Sequence, residues 1–88
     1  MLKKTVTIIN QSGLHARPAS EFVLTAKQFS SKITLCREGG EPVNAKSMVR
    51  LLAEGIGQGT CIELVTEGDD EEAAMTALTG LIESGFGE

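Results

Sequence analysis

Hydrophobic and polar residues alternate in four short segments of the chain. The predicted strands are residues 4–9, 32–37, 42–43 and 60–66. Side chains two positions apart in a strand lie on the same face of a sheet, so each segment has one apolar and one polar face. The side chains predicted to face inward are Val6, Ile8, Ile33, Leu35, Ile62 and Leu64. Residues 38–41, with paired glycines, fit a tight reversal between the second and third strands.

Three other segments have the spacing of amphipathic helices. The first helix is predicted over residues 19–29, a short one over residues 48–53, and the last begins in the acidic run 68–72 and ends at residues 85–87. Ser47 is a favourable N-cap for the short helix, and Gly55 is a suitable left-handed residue after it. The buried stripes of the long helices are predicted to be Ala19, Phe22, Val23, Ala26 and Phe29, and Ala74, Ala77, Leu78, Leu81 and Ile82.

The predicted order of elements is βαββαβα. Short alternating strands with three helices favour an α+β open-faced sandwich, in which helices cover one face of a four-stranded antiparallel sheet and the other face is solvated. A chain of 88 residues fits one domain with a small core, so we expect a single domain over residues 1–88.

The stretch from Gly13 to Ala19 carries the only histidine of the chain, at the junction of the first strand and the first helix. Pro18 suits the first turn of a helix, so His15 is expected just before or at the helix N-terminus. Backbone N–H groups there lack partners and carry the positive end of the helix dipole. A phosphoryl group on the nucleophilic imidazole would meet the amides of Ala16 and Arg17 and the Arg17 guanidinium. His15 and Arg17 are therefore candidates for a phosphoryl-acceptor site.

The residues of this stretch also allow other interpretations. Because the residue before a proline disfavours helical angles, Arg17 could be the N-cap and Pro18 the first helical residue. A lone histidine near a helix start is often a turn residue without chemistry. Metal binding is disfavoured because there is no second histidine and Cys36 and Cys61 lack ligand spacing. A catalytic triad has no visible partner for His15.

Composition and charge narrow the classes of function. We expect neither a signal peptide nor a membrane-spanning segment, and the two separated cysteines fit free thiols in a cytoplasmic protein. Residues 1–50 hold all eight Lys and Arg with three acids, whereas residues 51–88 hold nine acids and no Lys or Arg. A cationic half that carries the histidine favours an acidic protein or a phosphate over nucleic acid as its partner.

The motif Gly13-Leu14-His15-Ala16-Arg17-Pro18-Ala19, the segment Asn44-Ala45-Lys46-Ser47 and the long C-terminal helix after an acidic start resemble the HPr family. These proteins are the histidine-containing phosphocarriers of the bacterial phosphoenolpyruvate:sugar phosphotransferase system, and the resemblance covers essentially the whole chain. It implies that His15 takes a phosphoryl group on Nδ1 from phosphorylated enzyme I and passes it to the enzyme IIA domain of a sugar permease. Arg17 would neutralise the transferred group. The resemblance implies a monomer with no cofactor, no metal and no turnover without partner proteins.

The same resemblance implies a regulatory site at Ser47. In the Gram-positive branch of the family, the matching serine is phosphorylated by an ATP-dependent HPr kinase, and the product binds a catabolite control repressor. Met48, Val49 and Leu52 would then contact partners, because the short helix has more apolar side chains than one face can bury. A well-buried helix is the alternative. Arg50 departs from the family, which often has glycine at this position.

Two other functions follow from these observations. The alternative to a phosphocarrier is a regulatory interaction module that acts mainly through Ser47 and the short helix. A metabolic enzyme with His15 as an acid or base is least favoured, because no second catalytic group lies at a useful spacing.

Overall fold

The computed structural model describes all residues of the chain, 1–88. The elements are β1 (Leu2–Thr7), α1 (Ala16–Ala26), β2 (Lys32–Arg37), β3 (Val43–Asn44), α2 (Met48–Ala53), β4 (Cys61–Glu67), α3 (Glu71–Glu83) and a final 3-10 turn (Gly85–Gly87). The predicted fold class is confirmed, since four antiparallel strands and three helices occur in the order βαββαβα. The bounds of β2 and α2 are as predicted, and the other strands shift by one or two residues.

The sheet order is β1-β4-β2-β3, so β4 lies between two strands that precede it by many residues in the sequence, whereas β2 and β3 are consecutive. Strand β1 pairs with β4 from Leu2↔Thr66 to Thr7↔Cys61. Strand β2 pairs with the other side of β4 and with the two-residue edge strand β3. Pro42 lies just before β3, where its missing N–H removes no hydrogen bond from the ladder. The central position of β4 brings the acidic half of the chain against the N-terminal strand.

One face of the sheet and the helices that cover it share a single hydrophobic core. The alternation prediction is confirmed, because all six inward side chains are buried: Val6, Ile8, Ile33, Leu35, Ile62 and Leu64. Helix α1 adds Phe22 and Val23 to this core, and α2 adds Leu51. Helices α1 and α2 pack against each other, as do α1 and α3. Burial of apolar surface on this one face therefore holds the layers together.

Helix α1 begins three residues earlier than predicted, at Ala16, and it ends at Ala26. His15 is its N-cap, so the alternative with Arg17 as the N-cap is wrong. Pro18 is the third helical residue, a position where an N–H group has no intrahelical acceptor. The proline therefore removes no hydrogen bond, and the helix extends back to the histidine.

Helix α3 turns a slightly different face to the core than predicted. The predicted residues that are buried are Ala74, Leu78 and Ile82, while Met75 and Thr79 are buried without having been predicted. The predicted core residues that are only half-buried are Ala77, Leu81 and, beyond α1, Phe29. Thr79 can be buried because its Oγ1 donates a hydrogen bond to the Met75 carbonyl over 2.8 Å.

The acidic start of α3 also holds the loop between α1 and β2. Asp70 accepts hydrogen bonds from the backbone N–H groups of Ser30 and Ser31, over 2.9 Å each, and from the Ser31 hydroxyl. The Ser31 hydroxyl and the Ser30 amide lower the pKa of the Asp70 carboxyl from 3.8 to about 2. Gly68 permits this approach, because a Cβ at that position would lie 2.8 Å from Ser31 Cα.

Candidate functional site

The loop before α1 is fixed by three contacts that set the position of His15. The Leu14 amide donates to the Ile56 carbonyl over 2.9 Å, and the Leu14 side chain is buried in the core. The Asn10 side-chain amide donates to the Gly13 carbonyl over 2.8 Å. Gly13 has φ +66°, and a Cβ on it would lie 2.6 Å from the Ile56 carbonyl oxygen. Only glycine fits both this angle and this approach.

The start of α1 leaves two backbone donors beside the histidine. His15 has extended backbone angles, is exposed, and makes no side-chain capping hydrogen bond. The first hydrogen bond of the helix runs from the Ala19 amide to the His15 carbonyl over 2.8 Å. The amides of Ala16 and Arg17 precede this bond and have no acceptor, and Pro18 has no N–H. An anion at this helix end would meet two free N–H groups and the positive end of the dipole.

The Arg17 guanidinium is held by acceptors from two parts of the chain. Its Nη1 pairs with Glu21, one turn later in α1. Its Nη2 donates to the Phe86 carbonyl over 3.0 Å and lies 3.4 Å from a carboxylate oxygen of Glu88. The guanidinium is about half exposed, so it is positioned by the protein yet accessible to a partner.

The residues around Arg17 include several that the sequence did not single out. Glu88 accepts hydrogen bonds from the Ser12 amide over 3.1 Å and from the Ser12 hydroxyl. The Asn10 side-chain amide lies 3.3 Å from the same carboxylate. Bonds from the Ser12 hydroxyl and amide hold the pKa of the Glu88 carboxyl below its usual range. No local signal in the sequence connects Glu88 with Ser12, which lies 76 positions away.

The structure places Ser47 at the N-terminus of α2, as predicted. Its Oγ accepts a hydrogen bond from the Arg50 amide over 3.3 Å. Val49 is 77% exposed and Leu52 is 44% exposed, whereas Met48 is half-buried against the core. The alternative of a well-buried helix is therefore wrong, since only Leu51 of α2 is buried. The α2 surface, which we define as Met48, Val49 and Leu52, is an apolar patch beside a serine hydroxyl.

The fold does not bring the cysteines or acidic residues together into a candidate metal site of three or more ligands. Cys36 and Cys61 are free cysteines on the open side of the sheet, in agreement with the expectation of free thiols. No group of three or more His, Cys, Asp or Glu side chains is arranged to hold a metal ion. None of the helices has the length and apolar character needed to cross a membrane.

The fold and the site define a small α+β protein that presents one histidine, with an arginine beside it, at the start of a helix. The family profile described as "PTS HPr component phosphorylation site" matches residues 2–84. The "Phosphocarrier protein HPr" of Neisseria meningitidis is 47% identical over 88 residues, which cover 100% of this chain and 98% of the relative. The "HPr-like protein Crh" of Halalkalibacterium halodurans is 46% identical over 83 residues, or 94% and 98% of the two chains.

A solved structure gives the same answer. The crystal structure of HPr-C-His from Thermoanaerobacter tengcongensis matches with a TM-score of 0.96 and 50% identity, over 100% of this chain and 98% of that one. The chain therefore belongs to the HPr family, the phosphocarrier proteins of the phosphotransferase system.

Proposed function

We propose that His15 accepts a phosphoryl group from phosphorylated enzyme I and passes it to an enzyme IIA domain of a sugar permease. The observation that carries this proposal is the exposed imidazole beside two unpartnered amides, those of Ala16 and Arg17, at the start of α1. Family membership supports the same role for this histidine.

The arrangement suits phosphoryl transfer because that reaction depends on position and charge more than on proton chemistry. A bond forms between an imidazole nitrogen of His15, Nδ1 by analogy with the family, and phosphorus. The bond between phosphorus and the donor breaks at the same centre. The two amides and the Arg17 guanidinium would stabilise the charge that develops on the phosphoryl oxygens. In the second transfer the imidazole leaves and the acceptor on enzyme IIA takes its place.

The protein is on this basis a carrier that turns over only with partner proteins. We propose that it acts as a monomer in the cytoplasm, without cofactor or metal, since each partner needs the same exposed face around His15. The two free thiols agree with a cytoplasmic location. Size-exclusion chromatography with light scattering would measure the monomer, and a stable dimer at micromolar concentration would contradict it.

Phosphate labelling tests the acceptor directly. Incubation with enzyme I and phosphoenolpyruvate should add a single phosphate that is labile in acid and stable in base, as expected of a phosphohistidine. His15→Ala should abolish the label without unfolding the protein, because the side chain is exposed. Ser47→Ala is the matched control and should be labelled like the wild type. A label that survives His15→Ala would remove the basis of the proposal.

A second function, regulation through Ser47, is favoured by the α2 surface. The Ser47 hydroxyl is half-exposed at a helix N-terminus and lies beside exposed Val49 and Leu52. A phosphate on Ser47 would add charge at the edge of this apolar patch and so change what docks there. The relative named as an HPr-like Crh protein supports a regulatory branch of this kind.

Kinase labelling separates this role from the carrier role. An HPr kinase with ATP should phosphorylate the wild type and not Ser47→Ala, and a catabolite control repressor should bind only the phosphorylated protein. Arg50→Gly restores the residue that the family often has and should increase labelling if Arg50 hinders the kinase. Repressor binding that is unchanged in Ser47→Ala would refute the regulatory role and leave the His15 labelling result untouched.

A further inference from the structure

Two thiols that are distant in the sequence become neighbours on the open side of the sheet. Cys36 in β2 lies directly opposite Glu63 in the adjacent strand β4. Cys61 lies two positions before Glu63, so its side chain projects from the same side of the sheet as those of Glu63 and Cys36. The two cysteines are therefore diagonal neighbours on paired strands. Both are free, and neither is fully buried.

The two cysteines line a single pocket of about 320 Å³ on this side of the sheet. Glu38 and Glu63 also line it, and neither carboxylate is paired with a Lys or Arg. Arg37 is the only basic residue of the lining. Its guanidinium is turned away, because Nη1 donates a hydrogen bond to the Glu54 carbonyl at the end of α2 over 2.7 Å. The pocket thus holds two thiols and two unpaired carboxylates, which favours a cation as its ligand.

Each sulfur makes only weak contacts in its present position. The Cys61 Sγ lies 3.4 Å from the Thr7 hydroxyl oxygen. The Cys36 Sγ donates to the carbonyls of Arg37 and Gly40 over 3.2 Å and 3.4 Å. Thiols are weak hydrogen-bond donors and acceptors, so rotation of both side chains to other χ1 rotamers costs little. Such rotation can bring the two sulfurs towards the space between them.

The spacing of diagonal neighbours fits a bridging ion better than a disulfide. Such residues lie about 7–8 Å apart across paired strands. A disulfide usually needs a Cα separation of about 4.4–6.8 Å, so it would require the two strands to move. Metal–thiolate bonds of about 2.3 Å, the length known for zinc, allow one ion to join two sulfurs up to about 4.6 Å apart. A bridging ion therefore needs rotation of side chains only.

Two thiolates select a soft cation of low coordination number. Zinc takes four ligands, and no group of three or more His, Cys, Asp or Glu side chains is arranged to hold a metal ion. Calcium and magnesium prefer oxygen ligands. Monovalent copper prefers soft sulfur ligands and is stable between two thiolates in a nearly linear arrangement. The chemistry of the pocket therefore fits Cu(I).

We propose that Cys36 and Cys61 form a binding site for one Cu(I) ion on the open side of the sheet. When the ion binds, two Cu–S bonds form, both S–H bonds break, and the two protons pass to solvent. Copper remains monovalent, so the step consumes no oxidant or reductant. The helices, including the α1 start that carries His15, pack on the other side of the sheet. The copper site is therefore independent of the proposed phosphocarrier function.

Anaerobic titration with Cu(I) tests the site, with a reductant that is not a thiol and with bathocuproine disulfonate as a coloured competing chelator. The wild type should bind one ion per chain. Cys36→Ser and Cys61→Ser should each weaken binding about 100-fold or more, because the second thiolate acts at a high effective concentration. Both variants should remain folded, since each replaces sulfur by oxygen on the solvated side of the sheet. Equal affinity in the three proteins, or no binding by the wild type, overturns the proposal.

A variant with a relocated thiol is the matched control. Glu67 projects from the same side of β4 as Cys61 but lies opposite Lys32, at the far end of the ladder between β2 and β4. The double variant Cys61→Ser/Glu67→Cys keeps two thiols on this side of the sheet and separates them. It should bind Cu(I) as weakly as Cys61→Ser. An affinity equal to that of the wild type would show that adjacency of the thiols is not required, and the proposed site would be wrong.

The coordination of the ion provides the second test. X-ray absorption by the complex should show two sulfur ligands and no nitrogen ligand. Light scattering should show that the copper-loaded protein has the same mass per particle as the metal-free protein. A nitrogen ligand, or one ion shared between two chains, would overturn the assignment of the site to Cys36 and Cys61 of one chain.

Discussion

Gly13→Ala should lower the free energy of unfolding by about 3 kcal/mol. Two contributions add up to this value: an unfavourable backbone angle and a steric overlap of the new Cβ with the loop at Ile56. An L-residue at φ +66° costs about 1–2 kcal/mol relative to glycine. The new Cβ would also lie 2.6 Å from the Ile56 carbonyl oxygen and 2.7 Å from Gly57 Cα. Relief of this overlap requires the loop to move away from Ile56, which breaks the 2.9 Å bond from the Leu14 amide at a further cost of about 1 kcal/mol or more.

Gly55→Ala is the matched control for this prediction. Gly55 has nearly the same angle, φ +62°, but a Cβ there meets nothing within 4 Å. It should therefore lose only the angular part, about 1–2 kcal/mol. Replacing glycine by alanine also lowers the conformational entropy of the unfolded chain, which stabilises the folded state. This effect is the same in both variants, so it cancels in the comparison.

Thermal and urea unfolding measure the two variants. For a domain of this size, Gly13→Ala should lower the melting temperature by about 15 °C and Gly55→Ala by roughly half as much. Gly13→Ala should also slow phosphoryl transfer at His15, because the displaced loop leads directly into the helix N-terminus. A loss of stability in Gly13→Ala no greater than in Gly55→Ala would refute the reasoning that close approach to Ile56 positions the loop.

Three other variants test the site and its support. Arg17→Gln should slow phosphoryl transfer about 100-fold in a rapid-quench assay, because the guanidinium no longer stabilises the charge on the phosphoryl group. Its melting temperature should shift by only a few degrees, because exposed ion pairs contribute about 0–1 kcal/mol. A normal transfer rate would contradict the role of the guanidinium. Ser47→Ala should cost about 1 kcal/mol in urea unfolding through loss of the α2 N-cap, and an unchanged free energy would show that the 3.3 Å bond to the Arg50 amide contributes nothing. Asp70→Asn should lower the melting temperature at neutral pH. Since the pKa of Asp70 is lowered from 3.8 to about 2 in the folded protein, its stabilising effect is present above pH 4 and is lost as the pH falls towards 2. The gap between wild type and Asp70→Asn should close over that range, and a constant gap would exclude the Ser31 contacts as its cause.

Local patterns were sufficient for most of the fold. The strand β2 and the helix α2 have the predicted bounds. Alternation of apolar and polar residues marks β2, and a serine N-cap with a glycine after the last turn marks α2. Both signals act within a few residues. At the start of α1 two local rules conflict, because the residue before a proline disfavours helical angles and proline itself is favoured in a first helical turn. The structure settles it in favour of His15 as N-cap, which places the ring directly at the free amides.

The choice of buried face on α3 shows where local pattern is insufficient. Spacing alone favoured Ala77 and Leu81, but contacts with the sheet and with α1 select Met75 and Thr79 for burial. A threonine is acceptable there only because the helix itself supplies the acceptor for its hydroxyl, at the Met75 carbonyl. The pattern of hydrophobic residues along the chain does not show that a hydrogen bond within the helix satisfies the buried Thr79 hydroxyl.

The sequence by itself showed a single histidine, with an arginine two residues later, at the junction of a predicted strand and a predicted helix. It also showed a cationic first half and an acidic second half, but it did not show that these halves interleave. The tertiary structure decided that β4 lies against β1 and that Glu88 reaches Ser12, 76 positions away, and Arg17. The reason is physical: propensity and periodicity act over one or two turns, whereas the contact of the Glu88 side-chain carboxylate with the Arg17 guanidinium exists only after the core has closed around Phe86.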